Sequence, residues 1–309
     1  MLIIPAAVYD FKKGDRMSNI VPHLWFDTQA VEASAFYRSV FPQSQLLDHV
    51  VLKDTPSGDC DLLTITLFDQ EFMLISAGPY FKHSPAISFT VRCSTADEVD
   101  QYYRALIEGG FELMPLQAYD FSPRFAWVAD RYGVNWQLLL TDQPIDQKIV
   151  PSLMFVGNNC GKAEEAVRFY TSIFPNSGII STLRYDGNFP PNAPGTIQQM
   201  IFALNGERFS IMDSAYDHDF TFNEAISLIV YAETQEEIDY YWNALSADPE
   251  AEQCGWLKDK YGVSWQVSPR ILNDWMVDKD PIKRDAVMKL VLEMKKIEIA
   301  PLLEIIQPQ

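Results

Sequence analysis

Four cysteines and four histidines are few for a chain of 309 residues. Cys60, Cys93, Cys160 and Cys254 are scattered and form no CxxC pair. They read as free thiols in a reducing cytoplasm, not as a disulfide framework. His49, His83 and His218 stand alone in loop-like surroundings and receive no role. Glycine is sparse too, at 14 residues, and no Rossmann-type glycine motif follows a strand-like run, so dinucleotide binding of that kind is excluded. Positive charge is short: 24 basic against 42 acidic residues leave a net charge of −18. Such a surface repels phosphate backbones and anionic lipid, which argues against nucleic-acid and membrane partners. No apolar run reaches the roughly 18 residues that a membrane span needs. Leu2-Ile3-Ile4 lacks a basic lead and is followed by Asp10, Lys12 and Lys13, so it is not read as a signal peptide. Residues 1–16 are expected to be an extension, with the folded part starting near Met17.

What the chain does have is repetition. Asp130-Arg-Tyr-Gly-Val-Asn-Trp-Gln-Leu138 returns as Asp259-Lys-Tyr-Gly-Val-Ser-Trp-Gln-Val267, with six of nine positions identical at an offset of 129. Val21-Pro-His-Leu-Trp-Phe26 returns at Val150, Phe36-Tyr-Arg-Ser-Val-Phe-Pro42 at Phe169, and Ala86-Ile-Ser88 at Ala225. The order is kept while the offset varies, as expected of duplicated domains with loop insertions. The boundary falls in the polar, proline-containing stretch Thr141 to Asp146. The expected division is 17–143 for the first domain, 144–272 for the second and 273–309 for a tail.

Each copy is itself doubled. Residues 20–26 alternate as a strand does. Residues 30–41 put Ala30, Ala33, Phe36, Tyr37, Val40 and Phe41 on one helical face, and Pro42 ends it. Three strand-like runs follow at 44–53, 60–69 and 71–77. The theme restarts at 85–92, where Thr95-Ala-Asp-Glu98 is a capping box for the next helix and Gly109-Gly110 stop it. Strands are then expected at 111–118, 122–129 and 134–140. The second copy repeats the plan, with a helix from Lys162 to Phe174 and a capping box at Thr234-Gln-Glu-Glu237. The fold class is therefore α+β: four βαβββ units in two tandem domains. In the tail, Asp280-Pro281 can start a helix. Ala286, Val287, Leu290, Val291 and Met294 make its apolar stripe, and a short helix follows near Pro301. The stripe is read as packing on its own domain, with a homodimer contact as the other possibility.

These residues resemble the vicinal oxygen chelate superfamily, the glyoxalase and bleomycin-resistance fold, and within it the PhnB-like, 3-demethylubiquinone-9 3-methyltransferase-like branch. The resemblance rests on Pro22-x-Leu-x-Phe26, Phe36-Tyr37…Phe41-Pro42, Ala86-Ile-Ser88, Asn205-Gly206, the stretch 234–242 and Cys254 to Gln266. It covers about residues 20–270. It implies that each pair of units forms a curved sheet around a cleft, and that metal-holding members use His and Glu on cleft-facing strands. By similarity those positions fall at Val21 and Val150, Ala86 and Ala225, and Gln137 and Gln266, with a fourth near Leu74 or Ile211. Val and Ala offer no donor and Gln only a weak one. His23 alone is not a site, so no metal and no cofactor are expected.

The cleft candidates for a ligand follow from strand parity. They are His23, Trp25, Ser88, Asn135 and Gln137, and in the second copy Ser152, Met154, Ser227, Ser264 and Gln266. Each Gln offers a donor and an acceptor, either to a polar ligand or to a neighbouring strand. Trp25 is placed to stack on a flat ligand. Ser88 and Ser227 have no evident His–Asp partners for a triad. Trp136 and Trp265 point away from the cleft, and Asp130 and Asp259 are expected to bond turn amides. The leading expectation is a cytoplasmic, metal-independent binder of a small organic molecule. Alternatives are an enzyme of the same superfamily, metal-dependent or not, with no catalytic residue assigned, and a non-catalytic interaction module.

Overall fold

The structure, a computed structural model, describes residues 20–276 and 280–306; the expected extension at 1–16 lies outside them. The first module runs β1 (Ile20–Phe26), α1 (Ala30–Val40), β2 (Gln45–Thr55), β3 (Gly58–Leu67) and β4 (Gln70–Ser76). The second runs β5 (Ile87–Cys93), α2 (Ala96–Leu106), β6 (Phe111–Tyr119), β7 (Ser122–Ala129) and β8 (Asn135–Leu140). The third runs β9 (Ile149–Phe155), α3 (Ala163–Ile173), β10 (Gly178–Arg184), β11 (Ile197–Leu204) and β12 (Glu207–Asp213). The fourth has β13 (Ile226–Ala232), α4 (Gln235–Leu245), β14 (Trp256–Lys258) and β15 (Ser264–Pro269). The tail adds α5 (Ile271–Met276), α6 (Pro281–Glu293) and α7 (Ile299–Ile306).

Local chemistry sets these boundaries. The hydroxyls of Thr95 and Thr234 accept from the amides of Glu98 and Glu237 at 3.2 and 3.3 Å. The two carboxylates reach back to the amides of Ser94 and Glu233, one residue before each cap, at 2.9 and 2.7 Å, a close variant of the capping box. Asp280 caps α6 by accepting from Ile282 and Lys283. Asn205 and Gly206 both hold positive φ, the requirement of the tight turn that joins β11 to β12. Gly110 is fixed by space: a Cβ there would lie 2.1 Å from the Ala129 carbonyl oxygen.

The repeated Asp-x-Tyr-Gly turn is built identically in both copies. Asp130 accepts from the amides of Tyr132 and Val134 and from Trp136 Nε1, at 2.8, 3.1 and 2.9 Å. Asp259 does the same for Tyr261, Val263 and Trp265. Both carboxylates are buried, and both indoles are fully buried. Each Asp thus ties a turn to the helix-facing core, as the sequence suggests.

The modules pair as first with fourth and second with third. One sheet has the order β14-β15-β13-β1-β4-β3-β2, the other β10-β11-β12-β9-β5-β8-β7-β6. The chain accordingly divides into two compact units, residues 84–221 (unit 1) and residues 20–83 with 222–306 (unit 2). Each sequence repeat contributes one module to each unit. In unit 2, β1 and β13 run antiparallel, His23 opposite Ser227. In unit 1, β5 and β9 do the same, Ser88 opposite Ser152. The helices cover one face of each sheet, α1 over β3 and β4, α2 over β7 and β8, α3 over β11, and α4 over β15. Leu24, Phe72, Phe89, Phe202, Trp136 and Trp265 are buried on that side.

The fourth module departs locally from the plan. Where the second module has β6, residues 246–255 form a 3-10 turn at Pro249–Ala251 and a single bridge from Gln253 to Trp256. Pro249 has no amide to give to a ladder, and Asp248 caps the turn by accepting from Glu250. The position is an edge, so the sheet continues without it. Four cysteines are free. Among the described residues no helix is long and apolar enough to cross a membrane.

Candidate functional site

Strand parity and ladder register assign the uncovered face of each sheet. In unit 1 that face carries Val150, Ser152 and Met154 on β9, Ser88 and Thr90 on β5, and Asn135, Gln137 and Leu139 on β8. Phe125 and Trp127 on β7 and Ser210 and Met212 on β12 complete it. In unit 2 it carries Val21, His23 and Trp25, then Ser227, Ile229 and Tyr231, then Ser264 and Gln266. Trp256, Met73, Ile75 and Leu62 flank them. The ten candidates named from the sequence therefore separate by unit. Ser88, Asn135, Gln137, Ser152 and Met154 meet in unit 1; His23, Trp25, Ser227, Ser264 and Gln266 meet in unit 2.

The two glutamines are held alike. Gln137 Nε2 donates to Ser88 Oγ and Gln266 Nε2 to Ser227 Oγ, both at 2.9 Å. Both Gln side chains stay half-buried. Thr90 and Ser152 pair through their hydroxyls at 2.9 Å. The floor of unit 1 is thus neutral and rich in hydroxyl and amide groups. Its wall is apolar: Phe125, Trp127, Met154 and Val156 form one buried cluster with Leu113, Met114, Tyr119, Leu139, Met212 and Phe220 against it. Tyr119 stacks on Phe121 with centroids 5.4 Å apart, and Phe121 stands edge-on to Phe125 at 4.9 Å. His218, next to this wall, contacts Phe220 at 4.8 Å and pairs with Ser214 Oγ at 2.8 Å.

Unit 2 fills the same face. Val287, Val291, Ile297 and Leu302 of the tail, with Leu272 and Trp275, join Val50, Leu52, Cys60 and Ala77 in one buried cluster. Trp25, Leu62 and Ile75 pack against it. Trp25 also donates from Nε1 to the Gly78 carbonyl at 2.8 Å and meets Phe81 and Trp256 edge-on. His23 is 2% exposed and lies edge-on to Trp256 at 5.4 Å. Burial among these rings pulls its pKa down to about 3, so it is a neutral imidazole at neutral pH. Nearby, Glu71 is buried, which raises its carboxyl pKa, and Arg270 beside it opposes the rise. The Arg270 guanidinium sits 4.7 Å over the Tyr231 ring.

Whether this donor set suits the metal of metal-holding superfamily members can be tested position by position. Gln266 is level with Ile229, and Ile229 with Val21. Gln137 is level with Thr90, and Thr90 with Val150. The middle position is thus Ile229 or Thr90; Ala225 and Ala86 lie four residues further along, roughly 13 Å at a strand's rise. Leu74 and Ile211 are fully buried on the helix-covered side, opposite Leu24 and Leu153. The cleft-facing neighbours there are Met73, Ile75, Ser210 and Met212. Among the described residues no three His, Cys, Asp or Glu side chains converge. Val, Thr or Ile, and Gln at one level do not fit a divalent transition metal.

Sequence reasoning did not single out Trp127, Trp256, Thr90, Met212 and Phe220 as facing the clefts. A signal was present for the first two: the tryptophans repeat at the same offset of 129 as the Gln motif, and each lies opposite its Gln in the ladder.

Comparison with known proteins agrees with this architecture. The family model for 3-demethylubiquinone-9 3-methyltransferase matches twice, over residues 18–139 and 147–268. Among solved structures, the PhnB protein of Bacillus cereus, described provisionally as a 3-demethylubiquinone-9 3-methyltransferase, is 37% identical. It covers 39% of this chain and 98% of its own, with a TM-score of 0.37. Glyoxalase I from Zea mays is 10% identical, covering 81% of this chain and 93% of its own, with a TM-score of 0.51; that likeness speaks for the fold alone. No curated protein matches. With both repeats matched over most of the chain, the protein belongs to the 3-demethylubiquinone-9 3-methyltransferase family, as two tandem PhnB-like copies on the glyoxalase/dioxygenase fold.

Proposed function

We propose that this protein binds a small organic molecule in the trough of unit 1, without a metal, and that it takes one such molecule per chain. One observation carries the reading. The two sheets share their frame, yet the tail packs onto this face of unit 2, while among the described residues the apolar cluster of unit 1 draws on its own sheet, Val156 and Phe220. An apolar, concave surface with a few polar groups on its floor is the usual build of a ligand site. The absence of an acid–base pair on that floor favours binding over catalysis. Scattered free thiols and the acidic surface support a cytoplasmic setting.

Thermal-shift screening against neutral aromatic and amphiphilic metabolites tests the proposal. A ligand at a hundred times its Kd stabilises the native state by about 2.7 kcal/mol. Met154→Trp introduces at this position the residue that the other repeat has in Trp25, and it should fill the trough. The expected result is an upward shift of Tm with ligand that Met154→Trp abolishes. No shift with any compound, or a shift indifferent to Met154→Trp, would remove the reading.

A further inference from the structure

We infer that the ligand of unit 1 is an uncharged molecule with an aromatic or otherwise flat apolar body and an amide-like head that both accepts and donates a hydrogen bond. This rests on the ligand-binding reading above and specifies its chemistry.

Among the described residues, two buried polar atoms on side chains of this face have no partner. They are Trp127 Nε1, a donor, and Asn135 Oδ1, an acceptor. Both side chains are more than nine-tenths buried, at 8% and 1% exposure. Both belong to the uncovered face, Trp127 opposite Gln137 and Asn135 opposite Ala129 in the same ladder. The orientation of the Asn135 amide is fixed, because its Nδ2 donates to the Gly133 carbonyl at 3.0 Å. Its oxygen is therefore the atom left over. Native proteins seldom bury such groups unpaired, since each loses its hydrogen bonds to water with nothing in return. A bound head group that accepts from the indole and donates to the amide oxygen satisfies both. Gln137 spends its amide on Ser88 and keeps a carbonyl oxygen as a further acceptor.

Charge is excluded by what surrounds these atoms. The floor residues Ser88, Thr90, Asn135, Gln137, Ser152 and Ser210 carry none. At the far end of β5 and β12, Arg92 and Arg208 share the single carboxylate of Asp146, and Arg92 spends its remaining donors on the Pro144 and Gln147 carbonyls. Beside the aromatic wall, Asp217 and Asp219 flank His218 and repel an anion. A cation would leave water for a floor with no carboxylate to receive it. Tyr119, Phe121, Phe125 and Phe220 offer ring faces and edges to a flat body.

Four naphthalene probes separate the terms: naphthalene-2-carboxamide, naphthalene-2-carboxylate, 2-naphthylmethylammonium and 2-methylnaphthalene. Titration of the full chain by calorimetry should show the carboxamide binding at least tenfold more tightly than each of the others. Trp127→Phe and Asn135→Leu should each erase most of that preference, bringing the carboxamide to within about threefold of 2-methylnaphthalene. Circular dichroism melts identify any variant that fails to fold, and Asn135→Ser, the residue found at Ser264, then stands in for Asn135→Leu. Binding that favours either ion, or a carboxamide preference unmoved by both variants, would overturn the inference and leave the trough as a site. Failure of all four probes to bind would count against the site itself.

Discussion

Val50 and Leu183 occupy corresponding places on the outer strands of the two sheets and meet opposite fates. Val50 is 7% exposed, opposite Leu62 and beneath the tail. Leu183 is 51% exposed, opposite Gln199, which is exposed as well. The sheets, helices and Asp-capped turns of the two units agree closely, so the frame does not decide the difference. What decides it is a short apolar tail that exists once per chain, and an outer-strand surface made apolar on one sheet and left polar on the other. The tail makes this face of one sheet part of a core, and the proposed ligand site lies on the other sheet.

The comparison breaks most visibly if the tail is removed. Truncation after Arg270 strips Leu272, Trp275, Val287, Val291, Ile297 and Leu302 from their buried cluster. Single large-to-small changes in such a core cost about 2–5 kcal/mol, so the whole deletion should unfold unit 2. Hydrogen exchange should show amides of β1 and β4 losing protection while those of β5 and β9 keep it. Equal loss in both units would mean that the tail is not a unit-specific core.

Next in size, Asp130→Ala and Asp259→Ala each strand two turn amides and a buried indole N–H. We expect roughly 3 kcal/mol from either, measured by urea unfolding. The two values should match within about 0.5 kcal/mol, because the bonds are the same; a large disparity would show that the frames are less alike than they look.

Acid should separate the units. The folded-state pKa of His23 is about 3 against an ordinary value near 6.5. The unfolded chain therefore binds the extra proton first. Stability is full above about pH 6.5 and falls as pH drops through the window down to about 3, with about 2 kcal/mol gone at pH 5. His83, also in unit 2 and pushed down to about 4 by burial, adds to the same slope. His23→Ser, the residue found at Ser152, should flatten the pH dependence of unit 2 exchange whatever it does to absolute stability. An unchanged slope would contradict this.

The smallest effect is expected where unit 1 is uncovered. Leu183→Asp should change stability by no more than about 0.5 kcal/mol, whereas Val50→Asp, which buries a carboxylate under the tail, should cost several. Similar costs at the two sites would remove the contrast that the proposal is built on.

Much of the frame could be read from residues alone. Alternation in 20–26, the Thr-x-x-Glu boxes, the Asn205-Gly206 turn and the apolar stripe of 286–294 are local signals, and each element formed within a few residues of its expected place. Module pairing was not legible. β1 meets β13, and β5 meets β9, through backbone hydrogen bonds that any of the four similar strands could make, so near-identical repeats leave the choice open. The cleft position level with Gln266 was misjudged for the same reason. Ala225 and Ile229 share strand parity, and only the ladder register shows that Ile229 is the neighbour. The tail helix was visible from its stripe, but its target was not, because Val50, Leu52 and Cys60 look no different in sequence from strand residues facing α1. In the fourth module Pro249 replaced an expected edge strand with a turn.

NMR of protein carrying 13C-methyl methionine distinguishes a ligand held by unit 1 from one held by unit 2. Met154 and Met212 face the trough of unit 1, and Met73 faces that of unit 2. On titration with naphthalene-2-carboxamide, the Met154 and Met212 methyl signals should move along a single saturating curve while Met73 stays still. Movement of Met73 with Met154 and Met212 unchanged would contradict the proposed site in unit 1.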